Sequence, residues 1–256
     1  MLILSGFLVG VIVGLTGVGG GALMTPLLLL VFGVAPVTAI GTDLWFAAFT
    51  KMAAGKIHHS KRLIDWQILR YLWLGSLPAS MAMILLLCFD LISADIHFLK
   101  SIIAIVILFT AISLLMQKQL HELGRFFRLH DAKHFKQLQP ILTVLAGAIL
   151  GGLVTLTSIG AGAIGVVMLT YLYPLRLTTA RLVATDIVHA IPLALFAGIG
   201  HLVIGNVNFG LLTWLLLGSI PGVIIGATLS GKLPQHIVRI ALALVLIAVA
   251  IKLLMP

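Results

Sequence analysis

The chain has 256 residues, of which 61% are hydrophobic and 9% charged, and a formal net charge of +9; its mean hydropathy is +1.22. A water-soluble domain carries about 25% charged residues, so this chain has too little charge to cover a surface in water, and its surface must face lipid. The excess of Lys and Arg does not point to nucleic acid, because the basic residues are spread over short loops and no zinc, helix-turn-helix or stacking pattern accompanies them.

Ten apolar segments follow in chain order, roughly 2–16, 22–33, 38–56, 67–89, 97–117, 140–158, 162–174, 179–204, 209–230 and 235–255. The first opens without the positive n-region or small-residue cleavage site of a secretory signal and reads as mature chain. It breaks at "GLTGVGGGALMTP", which places five glycines in its first eight residues. Gly and Pro are poor residues for a helix interior, and in lipid a broken backbone is tolerated only where it is buried in protein or lines a cavity. Segment 22–33 is then too short to span: a 12-residue helix covers about 18 Å of a core about 30 Å thick. A discontinuous or re-entrant helix is expected, its second part beginning at a free N-terminus that attracts anions. Gly17, Gly19, Gly20 and Gly21 would let a small anion approach those N–H groups. Close helix packing through small residues is the alternative. "GVGGGA" also fits a dinucleotide fingerprint, but the preceding strand and soluble βαβ unit are missing.

Segment 38–56 carries Thr42, Asp43 and Lys51. A carboxylate at membrane depth is costly and functional by default, yet Asp43 is near enough to the segment start to act as a helix cap instead. Thr42 offers its hydroxyl either to substrate or to its own helix. Lys51 can pair with a carboxylate, attract an anion or snorkel to the membrane surface. His58 and His59, with the later His201, do not form a convincing metal set. Segment 67–89 holds Pro78, which bends it, and Cys88, the only cysteine, which excludes an intrachain disulfide and is expected to pack in the core. Beyond segment 97–117, the polar stretch 118–139 places Leu120, Leu123, Phe127 and Phe135 beside basic residues; an interfacial helix and a solvated linker are both open.

The second half repeats the first. A shift of 143 residues lays "GTD" at 41–43 on "ATD" at 184–186, Gly17 and Gly19 on Gly160 and Gly162, "GSLP" at 75–78 on "GSIP" at 218–221, and Asp65-Trp66 on Asn208-Phe209. Gly160, Ala161, Gly162 and Ala163 thus form a second break before another short segment, and Thr185 and Asp186 repeat the polar pair. His189, three residues after Asp186, is either a proton relay or a satisfied interior histidine. Lys51 meets Ala194 and so belongs to no symmetric site.

Each half has an odd number of crossings, so the second should enter the membrane from the opposite side. On that count Lys56, Lys61, Arg62, Lys118, Arg125, Arg128, Lys133, Lys136, Arg176, Arg181 and Lys232 share one face, while the other has Lys100 and Lys252. The positive-inside rule then puts both termini outside the cytoplasm.

The order of these motifs resembles the TauE/SafE, or sulfite exporter, family of membrane transporters. The resemblance rests on "GFLVGVIVGLTGVGGGALMTPLLL", "AIGTDL", "GKIHHSKRLIDWQIL" and "GNVNFGLLTWLLLGSIPGVIIGATLSGKLP", and covers nearly the whole chain. It implies movement of small sulfur-containing anions, sulfite or organosulfonates, across the bacterial inner membrane.

The expectation is therefore an all-α polytopic membrane protein of two inverted five-segment repeats, 1–117 and 140–256, joined by a cytoplasmic linker at 118–139. It would be a carrier of a small anion in the lipid bilayer, without enzymatic activity, cofactor or nucleic-acid partner. A passive anion channel, or a carrier of another small solute, is the alternative. Substrate contact is expected at the two breaks and at Thr42, Asp43, Thr185 and Asp186, with Asp43, Lys51, Asp186 and His189 as candidates for coupling or proton relay.

Overall fold

The computed structural model describes the chain apart from residues 17–20, 60–62, 90, 92–95, 131, 230–234 and 256; at 55–59, 96, 130, 132–134 and 235 it describes the backbone only. The described residues form eleven helices and no strand. They are α1 (Leu2–Thr16), α2 (Gly21–Leu30), α3 (Pro36–His59), α4 (Trp66–Cys88), α5 (Ile96–Leu115), α6 (Gln117–His130), α7 (Ala132–Thr157), α8 (Ile164–Leu172), α9 (Thr179–Ile204), α10 (Phe209–Leu229) and α11 (Gln235–Leu254). Each of the ten apolar segments is a helix. Among the described residues, α4, α5, α7, α9, α10 and α11 contain stretches long and apolar enough to cross a membrane. α3 is as long as these but carries Asp43 and Lys51 in its interior.

Apolar side chains alone do not hold helices together in lipid, which is as apolar as they are; close backbone approach does. On α1, a Cβ added at Gly6, Gly10 or Gly14 would collide with the backbone of α10 at Leu215, Ser219 or Val223. Gly218, Gly222 and Gly226 answer from α10 against Ile3, Phe7 and Val11. The same contact recurs between α4 and α7, where Gly75 meets Val144, and Gly147 and Gly151 meet Leu72 and Ser76. Since α7 and α10 are the counterparts of α1 and α4 under the 143-residue shift, the first helix of each half packs along the fourth helix of the other. α3 and α9, also counterparts, pack against each other, as do α5 and α11.

Two hydrogen bonds tie this exchange to the central helices. The Asn208 amide, at the start of α10, donates to Thr42 Oγ1 on α3 at 3.0 Å, and the Asp65 amide, at the start of α4, donates to Thr185 Oγ1 on α9 at 3.1 Å. The two starts differ in charge. Asn208 Oδ1 caps α10 by accepting from the Leu211 amide. Asp65 Oδ1 caps α4 by accepting from Ile68, and its carboxylate also takes a two-pronged pair from Arg176, at 2.8 and 2.9 Å. Arg176 reaches on to Gln67, and Arg181 stands 3.8 Å from Asp65. Asp65 is 5% exposed and Arg176 42%.

Two features depart from the sequence expectation, and a third decides between open alternatives. α7 starts at Ala132, so the polar stretch before Pro140 continues the helix; Pro140 lies inside it, and Gln139 is held by its amide donating to the Leu172 carbonyl at 2.6 Å. Of the alternatives left open for 118–139, the described residues take the helical one: α6 is seated on α8 where Gly124 meets the backbone of Tyr171, and it leaves Leu123, Phe126, Phe127 and Leu129 exposed. Cys88 does not pack in the core but is exposed at the end of α4, since the helix reaches the surface there.

Asp65→Asn keeps a capping side chain and removes the ion pair, whereas Asp65→Ala removes both. Thermal midpoints in detergent are expected to fall in that order, with the alanine variant costing about 1–2 kcal/mol. Equal midpoints for wild type and Asp65→Ala would show that α4 does not depend on this residue.

Candidate functional site

The second break is built from backbone conformations that side chains normally avoid. α7 ends at Thr157, and Ser158, Gly160 and Gly162 then have φ of 60°, 126° and 121°. Ser158 is the only non-glycine residue with positive φ among those described, a strained choice that functional sites often retain. The turn is locked from below, where Thr157 Oγ1 accepts from the Ile159 amide at 3.1 Å. α8 then starts at Ile164 behind Ala163, with no side-chain cap. Its N-terminal dipole is left for another group to answer.

The first break reaches the same place. Gly17, Gly19 and Gly20 lie outside the described residues. Gly21, the first residue of α2, lies against the Ser158 backbone so closely that no Cβ fits between them. The start of α2 is therefore in contact with the second break. Beside this contact is a cavity of about 10 Å³, lined by Gly21, Leu44, Ala47, Lys51, Ser158 and Ala161 among others. That volume holds one water at most.

The central helices supply three charged groups to this spot. Asp43 and Asp186 are wholly buried and sit about two turns inside α3 and α9. Neither is a helix cap: α9 is capped by Thr178, and α3 begins at Pro36. Thr25 of α2 donates to Asp43 Oδ2 at 2.5 Å, while Oδ1 has no partner. Asp186 has no hydrogen-bond partner on either oxygen. Its carboxylate is pressed against Gly165 of α8, with the Gly162 amide facing it. Lys51, 2% exposed, donates to the Ala161 carbonyl in the second break at 3.2 Å and interacts electrostatically with both carboxylates.

The other expected residues are placed differently. Gly160 and Ala163 are buried in the break, and Gly162 and Ala161 face Asp186 and Lys51. Thr42 and Thr185 do not line the cavity; their hydroxyls accept the helix-start bonds described above. His189 is buried, with Nε2 3.0 Å from Ser76 Oγ on α4 and Nδ1 unpartnered. No hydrogen bond joins it to Asp186. His201 is likewise internal, Nε2 lying 2.9 Å from the Thr155 carbonyl. Sequence reading missed Thr25 and Ser158. Both are hydroxyl residues within the glycine-rich breaks, and their polarity in apolar runs was the available signal. Among the described residues no cluster of three or more His, Cys, Asp or Glu is placed to hold a metal ion.

The arrangement offers uncapped helix backbone and one ammonium, both suited to an anion, beside two carboxylates able to hold protons. Comparison with known proteins places the chain among membrane transporters. The family model described as "Sulfite exporter TauE/SafE" matches residues 2–253. A Bacillus subtilis protein named probable membrane transporter protein YjnA is 36% identical over 99% of this chain and 98% of its own length. A second from Bacillus subtilis, probable membrane transporter protein YdhB, is 27% identical over 95% of each chain. A Haemophilus influenzae protein named only as a probable membrane transporter is 24% identical over 98% of this chain and 96% of its own. No solved structure matches the chain.

Contact between the breaks is open to a direct check. Gly21→Ala, whose Cβ would run into the Ser158 backbone, should lower the thermal midpoint in detergent, whereas Gly152→Ala, which meets only the end of Met83, should not. Equal midpoints for wild type and Gly21→Ala would contradict the packing of α2 against the second break.

Proposed function

The chain belongs to the sulfite exporter TauE/SafE family, and from that premise we propose that it carries a small oxyanion, sulfite or an organosulfonate foremost, through a site between its two breaks. It is a multi-pass membrane transporter, not an enzyme. The observation that carries the anion reading is the meeting of the breaks over Lys51. Helix N-termini supply dipoles and the lysine supplies charge, a combination that holds an anion without gripping it. The small size of the cavity supports alternating access over a standing pore, because a channel needs a continuous wet path and this site has room for one water at most.

The matching contacts of the two halves support a further part of the proposal: 1–117 and 140–256 are inverted repeats joined by 118–139. The transporter would then sit in the bacterial inner membrane with both termini outside the cytoplasm and with 118–139 inside. The exposed apolar residues of α6 suit a helix lying in the membrane surface.

Purified protein in liposomes should take up sulfite or a simple sulfonate faster than empty liposomes do. Lys51→Gln should lower the initial rate at least about tenfold, the factor that a loss of roughly 1.4 kcal/mol would give. Transport of cations with indifference to every oxyanion offered would end this reading. For orientation, reporters fused after Met255 and within 118–139 should give external and cytoplasmic signals respectively. A cytoplasmic C-terminus would rule out the inverted arrangement.

A further inference from the structure

We propose that Asp186 is a tethered stand-in for the transported anion: its carboxylate rests at the N-terminus of α8, and the substrate takes that place when Asp186 gains a proton. One oxyanion then moves with one proton. This inference rests on the anion-carrier reading above and extends it to the coupling.

Three observations carry it. First, the position is that of a ligand. α8 begins behind Ala163 without a side-chain cap, and the group at its N-terminus is the Asp186 carboxylate, against Gly165 and opposite the Gly162 amide. Second, no side chain donates a hydrogen bond to that carboxylate, and the Lys51 ammonium acts on it only through charge. Asp186 is 0% exposed and neither oxygen has a hydrogen-bond partner, an arrangement costly for a permanent structural group and reasonable for one that must leave. Asp43 differs, since Thr25 holds its Oδ2.

The third is charge balance. The site encloses two carboxylates and one ammonium, Lys51. With all three charged it carries one excess negative charge, and an added monoanion would make two in a space sealed from water. Burying unbalanced charge is too costly for a carrier that must load and release. A proton taken from the aqueous side that admits the anion, and placed on Asp186, restores the original balance. It also removes the attraction between the carboxylate and both Lys51 and the α8 dipole, which frees the position. The other carboxylate of the site, Asp43, could also take a proton, but Thr25 already donates to its Oδ2 and it does not lie at the α8 N-terminus. From α3 the charge facing Asp186 is Lys51, with Asp43 beyond it; α8 presents the backbone of Gly162 and Gly165; and His189, on the same helix, turns its Nε2 to Ser76 of α4. Among the described residues, α4 and α7 bring no charged side chain to it.

The test uses purified protein in weakly buffered detergent, with methanesulfonate and ethanesulfonate as probes because both are monoanions that do not titrate near neutral pH. Wild type should take up about one proton per anion bound, and its affinity should fall about tenfold for each pH unit above neutrality. Asp186→Asn should bind the same probe without proton uptake and with an affinity flat in pH. Asp186→Glu should restore the uptake. Wild-type binding without proton uptake would overturn the inference and leave the anion reading standing, as would full uptake in Asp186→Asn. If Asp186→Asn does not fold, the wild-type stoichiometry decides alone. Failure of methanesulfonate, ethanesulfonate and sulfite all to bind would bring down the anion reading, and this inference with it.

Discussion

The bond from the Lys51 ammonium to the Ala161 carbonyl joins the interior of α3 to the break before α8. An ammonium at this depth is stable only if it is answered by charge and by hydrogen-bond acceptors. Here the break supplies the acceptor and the two central aspartates supply the charge. Much of the centre follows from this. The chain must leave helical geometry at 158–163 for a carbonyl to be free to accept. The helices around it must approach closely enough to exclude water, and the only backbone able to turn so sharply is rich in residues with positive φ.

That close approach comes from small residues on α1, α4, α7 and α10. The consequence is mechanical. Each half of the chain has its first helix bound to the fourth helix of the other half, so neither half can move as an independent block. The moving parts of such a molecule are better sought in the central elements: α2, α3, α8 and α9. These carry the charges, and side-chain bonds such as Thr25 to Asp43 and Lys51 to Ala161 join them at the site. The two ends of the central helices are also unlike each other. Thr42 is tied to a neutral Asn208, whereas Thr185 is tied to Asp65, which a partly exposed Arg176 also holds. A related sequence has been used twice, with a charged clasp on one side only.

Composition and motif spacing made much of this legible. The low charge demands lipid, the glycine clusters demand breaks, and the 143-residue repeat predicts that what one half does the other should echo. Ten of the eleven helices lie where the apolar runs put them, with ends displaced by a few residues except at the start of α7, which reaches back to Ala132. Other features depended on neighbours distant in sequence. Whether Asp43 and Asp186 were caps or buried charges turned on where α3 and α9 begin, and a Pro or Thr two turns upstream does not settle that by itself. Thr42 and Thr185, repeated beside the aspartates, looked like part of the same site. They face away from it because adjacent residues on a helix point about 100° apart.

By itself the sequence determined the solvent, the helical class, the two interruptions and the duplication, because each follows from local composition or from self-comparison along the chain. Only the tertiary structure decided which interrupted ends meet, that Lys51 reaches the opposite break, and that one aspartate is held by Thr25 while the other faces a helix end and the Lys51 charge without a side-chain hydrogen bond. The physical reason is that a buried charge takes its character from the groups packed around it, and in this chain those groups lie as much as 110 residues away.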